Sequence, residues 1–320
     1  MITSHREIQR NRMFASRSRT RGILILSLPV LLHLHTAVPL CSCLSSAPPL
    51  HLNPQLHPLF GVQIGSLPKP ARRILVHGDD PSSVDASALL SSLPLHPRHT
   101  AAARHSLRST DAEDTFASAP GILSRDAAAA LREWASGRFA ATERQRMDSV
   151  DGCPEWQAEI DLPTLAETVG EETVDSLLRL PRRWLERAAA FESSEGNAAS
   201  DGGGVGDVGI FVRKYAAGGR PFIGFHVDDC DATVNVCLSD PDECTGGTLL
   251  LLASGKVHAP RREIGEATAH SWSVCHGVSG VTEGTRWSLI LFFSNHYQPD
   301  HAGFYKKIMD AGKKKKRKKR

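Results

Sequence analysis

From residue 208 onward, apolar and polar positions alternate in short runs. Val208 to Tyr215, Phe222 to Val227, Thr233 to Leu238, Thr248 to Leu252, Ala267 to Val274 and Arg286 to Phe293 are rich in Val, Ile, Leu and aromatics, with Gly, Pro and Asp clusters between them. That is the pattern of short strands joined by turns. Upstream the period is helical. Ser124 has the chemistry of an N-cap for a helix over 126–136, which puts Leu131 and Trp134 on one face, with Gly137 near the stop. A second helical tract spans Pro163 to Phe191. Val174, Leu177, Leu178, Trp184 and Leu185 recur there at helical spacing, and Pro181 breaks it. Glu195 to Gly209 reads as a Gly/Ser/Asp loop. Helices followed by many short strands predict an α+β fold: a double-stranded β-helix (jelly roll) core with supporting N-terminal helices.

Before residue 118 the periodicity fades. The stretch from Ala47 to Ala117 is rich in Pro, Ser, His and Arg, with Ile74–Val76 and Ala88–Leu90 as short apolar islands. Little apolar surface is available to offset ordering entropy, so 46–118 is expected to be a disordered linker. Further upstream, Gly22 to Leu32 is an apolar run behind an Arg-rich leader, and Gly22 to Leu44 contains no Asp, Glu, Lys or Arg. Three readings fit: a secretory signal peptide, a signal anchor that contacts the membrane through residues 22–44, or an organelle transit peptide. The chain thus divides into an N-terminal segment (1–45), a linker (46–118), a folded domain (119–304) and a basic tail (305–320). There is no internal repeat.

Charge sharpens this division. The chain carries +3 overall; residues 1–22 hold +5 and Lys313 to Arg320 hold +8, which leaves −10 between them. An acidic middle marks the folded part as no obvious nucleic-acid binder, so only the basic tail could serve that role, or act as a nuclear address or an anionic-surface anchor. The apolar run favours the secretory pathway and the endoplasmic reticulum, whereas the tail favours the nucleus. The seven Cys include no C-x-x-C pair, so a zinc knuckle or thioredoxin-type motif is unsupported.

The candidate chemistry lies in the strands. Residues i and i+2 of a strand share a face, so His226 and Asp228 aim an imidazole and a carboxylate at one point. His276, at the end of the strand-like run from Thr268, supplies a third donor. Two His and one carboxylate on one face of an octahedral ion leave positions free for a co-substrate and O2, the arrangement for non-haem Fe(II). A structural hydrogen-bonded cluster or a zinc site would use the same residues. His77-x-Asp79 has the same spacing but no strand or partner His around it, and reads as coincidence. Arg286 and Ser288 share a face ten and twelve residues after His276. A guanidinium buried beside a hydroxyl suits a carboxylate end, since burying it unpaired is costly.

From Tyr215 to Ser294 the chain resembles the iron- and 2-oxoglutarate-dependent dioxygenases, and within them the prolyl 4-hydroxylase-like branch. The matching features are Tyr215 before a Gly-containing turn, His226-x-Asp228, Gly246-Gly247-Thr248-Leu249, Gly265, His276-Gly277-Val278, Val281, Gly284, Arg286 and Ser288. The resemblance implies that His226, Asp228 and His276 are catalytic and hold Fe(II). It implies that 2-oxoglutarate chelates the metal at its keto-acid end while Arg286, Ser288 and Tyr215 contact the far end. Oxidative decarboxylation to succinate and CO2, with hydroxylation of a C–H bond, would follow, and ascorbate is the reductant used by this branch. Two departures matter. Collagen-type prolyl hydroxylases have Lys where this chain has Arg286. The second Arg of the nucleic-acid demethylases is missing from Trp287 to Phe292.

The expected substrate is a peptide, protein or small molecule, peptidyl proline foremost. Two other classes compete: a metal- or 2-oxoglutarate-sensing module without turnover, and a nuclear dioxygenase acting on a chromatin-associated protein. Loops 151–161 and 239–246 are expected to select the substrate.

Overall fold

A computed structural model describes residues 56–141, 146–185 and 207–294. The apolar run at 22–44, Cys41, Cys43, the end of the second helical tract, most of the loop at 195–209 and the basic tail lie outside these residues. Along the chain come helices α1 (Pro58–Ser66), α2 (Lys69–Leu75), α3 (Ala86–Ser92) and α4 (Pro97–Arg108). They are followed by β1 (Phe116–Ala119), α5 (Arg125–Ala140), β2 (Arg146–Met147), β3 (Pro154–Glu159), α6 (Leu162–Val169) and α7 (Glu171–Arg179). Then come β4 (Asp207–Ala216), β5 (Ile223–His226), β6 (Ala232–Cys237), β7 (Cys244–Gly246), β8 (Leu249–Ala253), β9 (Lys256–His258), β10 (Ala267–Ser271), β11 (Cys275–Val278) and β12 (Val281–Ser294).

The strands form two antiparallel sheets. The larger has the order β1-β10-β6-β12-β4-β3-β2, with β7 also on β12, and the smaller has β5-β11-β8-β9. From β4 onward the chain crosses between sheets: β4 large, β5 small, β6 large, β8 and β9 small, β10 large, β11 small, β12 large. This is the winding of a double-stranded β-helix, in agreement with the expected α+β jelly roll. Tyr215 and Val281 of the large sheet meet Ile223, Leu249, Leu251 and Val278 of the small one, which closes the interior.

Both sheets are covered by helices. The outer face of the large sheet presents Ile210, Val212, Val234, Val236, Leu289, Leu291 and Phe293 to Leu131 of α5, Leu165 of α6 and Leu177 of α7. Ser124 caps α5 as expected, accepting from Ala127 N at 3.1 Å. The helical tract beginning at Pro163 is interrupted earlier than Pro181 suggests. Gly170 (φ +90°) ends α6 and opens α7, a conformation that suits glycine.

The linker expected over 46–118 is corrected from residue 56 on. Phe60, Ile64, Ile74, Leu75, Leu89, Leu90 and Leu107 of α1–α4 pack on Phe225, Leu250 and Leu252 of the small sheet. The signal is weak in sequence because α1–α3 are only 7 to 9 residues long and each offers two or three apolar contacts. Their stability comes from the sheet they cover. Asp79, half of the coincidental His-x-Asp pair, is held by Arg73 at 2.6 Å.

The stretch 151–161 also differs from the expected loop. Its centre is β3, paired with β4 so that Gln157 lies opposite Arg213. Glu155 and Gln157 bond Arg213 inside the fold, so the inward side of this strand is polar and its period does not read as a strand. His276 likewise does not close the run from Ala267. That run ends at Ser271, and His276 belongs to β11 in the other sheet.

Candidate metal and co-substrate site

Two neighbouring strands of the small sheet bring the three donors together. Val278 pairs with Ile223 and His276 with His226, so three steps on β5 oppose two on β11. That β-bulge resets the alternation: Ile223 and His226 share the inner side while Phe225 packs outward under the helices. Gly277 lets the strands approach, since a Cβ there would meet the Ile223 carbonyl at 3.0 Å. Asp228 lies two residues beyond β5.

The donor atoms of His226, Asp228 and His276 lie within 4.8 Å of one another. His226 Nε2 is 3.4 Å from Asp228 Oδ1, and His276 Nε2 is 3.5 Å from Asp228 Oδ2. The Nδ1 atoms face backbone carbonyls, Gly224 O at 2.8 Å and Val274 O at 3.2 Å. Each Nδ1 therefore carries the proton and each Nε2 offers its lone pair to the centre, which is how metal-binding imidazoles are oriented. Thr233 Oγ1 donates to Asp228 Oδ2 at 2.6 Å and orients the carboxylate. Burial opposes ionisation of Asp228, but the neighbouring imidazoles outweigh it and hold the carboxyl far below the usual range. Burial pushes His276 down to about 3. Burial opposes protonation of His226 too, yet its contact with Asp228 raises it above its ordinary value. An anionic carboxylate with two Nε2 lone pairs is a donor set for a divalent metal, and its mixed N/O character suits Fe(II).

The far end of the interior fits an anion. Arg286 and Ser288 share the inner face of β12, opposite Tyr215 and Arg213 of β4. Arg286 is 4% exposed and Ser288 is fully buried. Among the described residues, neither Arg286 Nη1, Arg286 Nη2 nor Ser288 Oγ has a hydrogen-bond partner. Tyr215 lies with its ring 5.1 Å from Arg286 Cζ, a cation–π contact that positions the guanidinium. Gly247 (φ +68°) makes room for it, because a Cβ would meet Arg286 Cδ at 2.8 Å. A buried guanidinium with free forks beside a free hydroxyl is the complement of a carboxylate. All six residues singled out in the sequence therefore converge in one interior.

Other polar groups line the interior as well. Thr268 Oγ1 and His270 Nε2, on the inner side of β10, are also buried without partners among the described residues. The His270 ring centroid lies 4.5 Å from that of His276. Alternation along β10 was the one signal for them. Arg262 carried no such signal. It sits in the turn before β10 and reaches Asn235 Oδ1 at 2.8 Å. A cleft of about 1100 Å³ opens from the metal donors to solvent, walled by Leu67, His96, His99, Asp148, Glu155 and Phe292 among others.

No family model matches the chain. A curated relative, the PKHD-type hydroxylase azo0608 of Azoarcus sp. (strain BH72), is 27% identical over 103 residues, which is 28% of this chain and 45% of that protein. The match thus spans less than half the relative's length. Among solved structures, a prolyl-4-hydroxylase from Pseudomonas putida aligns over 56% of this chain and 92% of its own, at 17% identity and a TM-score of 0.38. A prolyl hydroxylase from Trichoplax adhaerens, solved with a peptide fragment of a hypoxia-inducible-factor oxygen degradation domain, aligns over 62% and 94%, at 12% identity and a TM-score of 0.36. At those scores the weight rests on the curated relative, the strand winding and the site residues. Through these the chain resembles the iron- and 2-oxoglutarate-dependent dioxygenase superfamily.

Proposed function

We propose that this protein is an Fe(II)- and 2-oxoglutarate-dependent dioxygenase that hydroxylates a C–H bond, with peptidyl proline as the leading substrate class. The observation that carries the reading is the pairing of a two-His, one-carboxylate cluster with the unpartnered Arg286 fork in the same interior. His226, Asp228 and His276 would hold the metal. When bound, iron and 2-oxoglutarate supply the oxidising chemistry, with succinate and CO2 as by-products. The chain itself does the positioning. Gly224 O and Val274 O fix the imidazole tautomers, Thr233 holds the Asp228 carboxylate, and Arg286 with Ser288 anchors the far carboxylate of the co-substrate. Tyr215 keeps Arg286 in place. The cleft beside His226 and Asp228, about 1100 Å³ in volume, would give a substrate access to the metal.

The curated relative is a hydroxylase, which agrees with the hydroxylation proposed here. Ascorbate is proposed as the reductant that keeps the iron ferrous. The test is succinate release from 2-oxoglutarate with Fe(II) and ascorbate, screened over proline-rich peptides and followed by the gain of one oxygen in mass. Peptide-dependent succinate and the matching mass gain are expected. Absence of any 2-oxoglutarate turnover or binding would overturn the reading.

Among the described residues no helix is long and apolar enough to cross a membrane. Entry into the secretory pathway is proposed from residues 1–45 alone. Nuclear signal from a tagged full-length chain, lost on deleting Lys313 to Arg320, would refute it.

A further inference from the structure

Among the described residues four arginines are buried in or beside the jelly roll, and they divide into two pairs. Arg213 and Arg220 are neutralised. Arg213 lies 3.1 Å from Asp148 and 2.7 Å from Glu155, and Arg220 lies 2.9 Å from Asp148 and 3.0 Å from Asp151. Arg262 and Arg286 have no such partner among the described residues. Arg262 is 8% exposed, and its Nη1 donates to the neutral acceptors Asn235 O (3.0 Å) and Asn235 Oδ1 (2.8 Å). Its neighbour Arg261 turns outward and pairs with Glu263 at the surface. Asn235 lies opposite Ile290 and Thr268, between the inner faces of β12 and β10 that carry Arg286, Ser288 and His270. Burial pushes Arg262 down to about 10, and the Arg286 charge adds to that push while Glu266 opposes it. A buried cation disfavours a second one in the same interior, and a bound anion relieves that cost.

We propose that Arg262 and Arg286 form a two-guanidinium seat for the far carboxylate of a dicarboxylic 2-oxo acid, with Asn235 holding Arg262 in place. This rests on the proposed dioxygenase reading and deepens it: the second cation makes the site select a dicarboxylate over a monocarboxylate keto acid. Arg286 supplies a planar fork and Arg262 adds charge, which strengthens binding only when the ligand carries the far carboxylate.

The test is calorimetric binding of two probes, 2-oxoglutarate and 2-oxobutyrate, to the full chain loaded with redox-silent Mn(II). Wild type is expected to prefer 2-oxoglutarate by about 100-fold. Arg262→Gln, which can still bond Asn235, is expected to lower that preference about ten-fold by weakening 2-oxoglutarate alone. Asn235→Asp, nearly isosteric, places an internal carboxylate on Arg262 and is expected to do the same, so the question survives if Arg262→Gln fails to fold. An unchanged preference in either folded variant overturns the proposal, as does an equal loss for both probes, which marks a structural role. If Arg286→Gln collapses the preference while Arg262→Gln does not, the dioxygenase reading stands without the second cation. Failure of wild type to bind 2-oxoglutarate removes that reading instead.

Discussion

The two faces of the large sheet are built from the same strands and obey opposite rules. Outward, β4, β6, β10 and β12 present Val212, Val234, Ala269 and Leu291 to the helices, a dry and close-packed layer. Inward, the alternate residues are Arg213, Tyr215, Thr233, Asn235, Thr268, His270, Arg286 and Ser288, all nine-tenths buried or more. Several of these inward groups have no partner among the described residues, whereas the outward ones need none. The outer face holds the fold together. The inner face carries unsatisfied charge and hydrogen-bonding capacity that a bound ligand would complete.

Experiments can set these faces against each other. The largest expected effect is on the inner side. Asp228→Ala should abolish Mn(II) binding in calorimetry and lower succinate release by at least about 1000-fold, because the remaining imidazoles lose the carboxylate of the cluster. Metal affinity left intact would refute the assignment. On the outer side, Leu291→Ala should lower unfolding free energy by about 2–5 kcal/mol in urea titration while the folded protein binds 2-oxoglutarate as before. Arg286→Met brings the comparison to its sharpest form. Binding of 2-oxoglutarate should fall about 100-fold, yet the ligand-free protein should melt no lower than wild type, because an unpaired buried charge has been replaced by an apolar chain. A large drop in melting temperature would mean that Arg286 is structural.

Acidity gives a smaller effect. His226 is raised above its ordinary value, so below that value it holds a proton that a metal must displace. Mn(II) affinity should therefore climb about ten-fold per pH unit up to that point and then level off. His276, pushed down to about 3, adds nothing to that slope in the neutral range. The smallest expected change is Ser288→Ala, with a loss of about 1 kcal/mol in 2-oxoglutarate binding for one hydrogen bond.

Strands β4, β6 and β12 were legible because their outward halves are aliphatic and their bounds are marked by Gly, Pro and Asp. The candidate site was legible because His226-x-Asp228, His276 and Arg286-x-Ser288 carry chemistry unusual for a core at fixed spacings. The coincidental His77-x-Asp79 shows that a dipeptide spacing alone decides nothing. Strand β3 was not legible, because Glu155 and Gln157 face inward to Arg213 and give it the polarity of a loop. Helices α1–α4 were not, because the surface that stabilises them lies more than 100 residues further on, in Phe225, Leu250 and Leu252.

The sequence by itself determined the class of core and singled out the three candidate metal donors and the cation with its hydroxyl, since residue type and period suffice where each strand reports its own two faces. Only the tertiary structure decided the rest. The bulge that turns His226 inward, the small-sheet strand that holds His276, and the turn that brings Arg262 to Asn235 all depend on pairings between distant segments. Such long-range register leaves no local period to read.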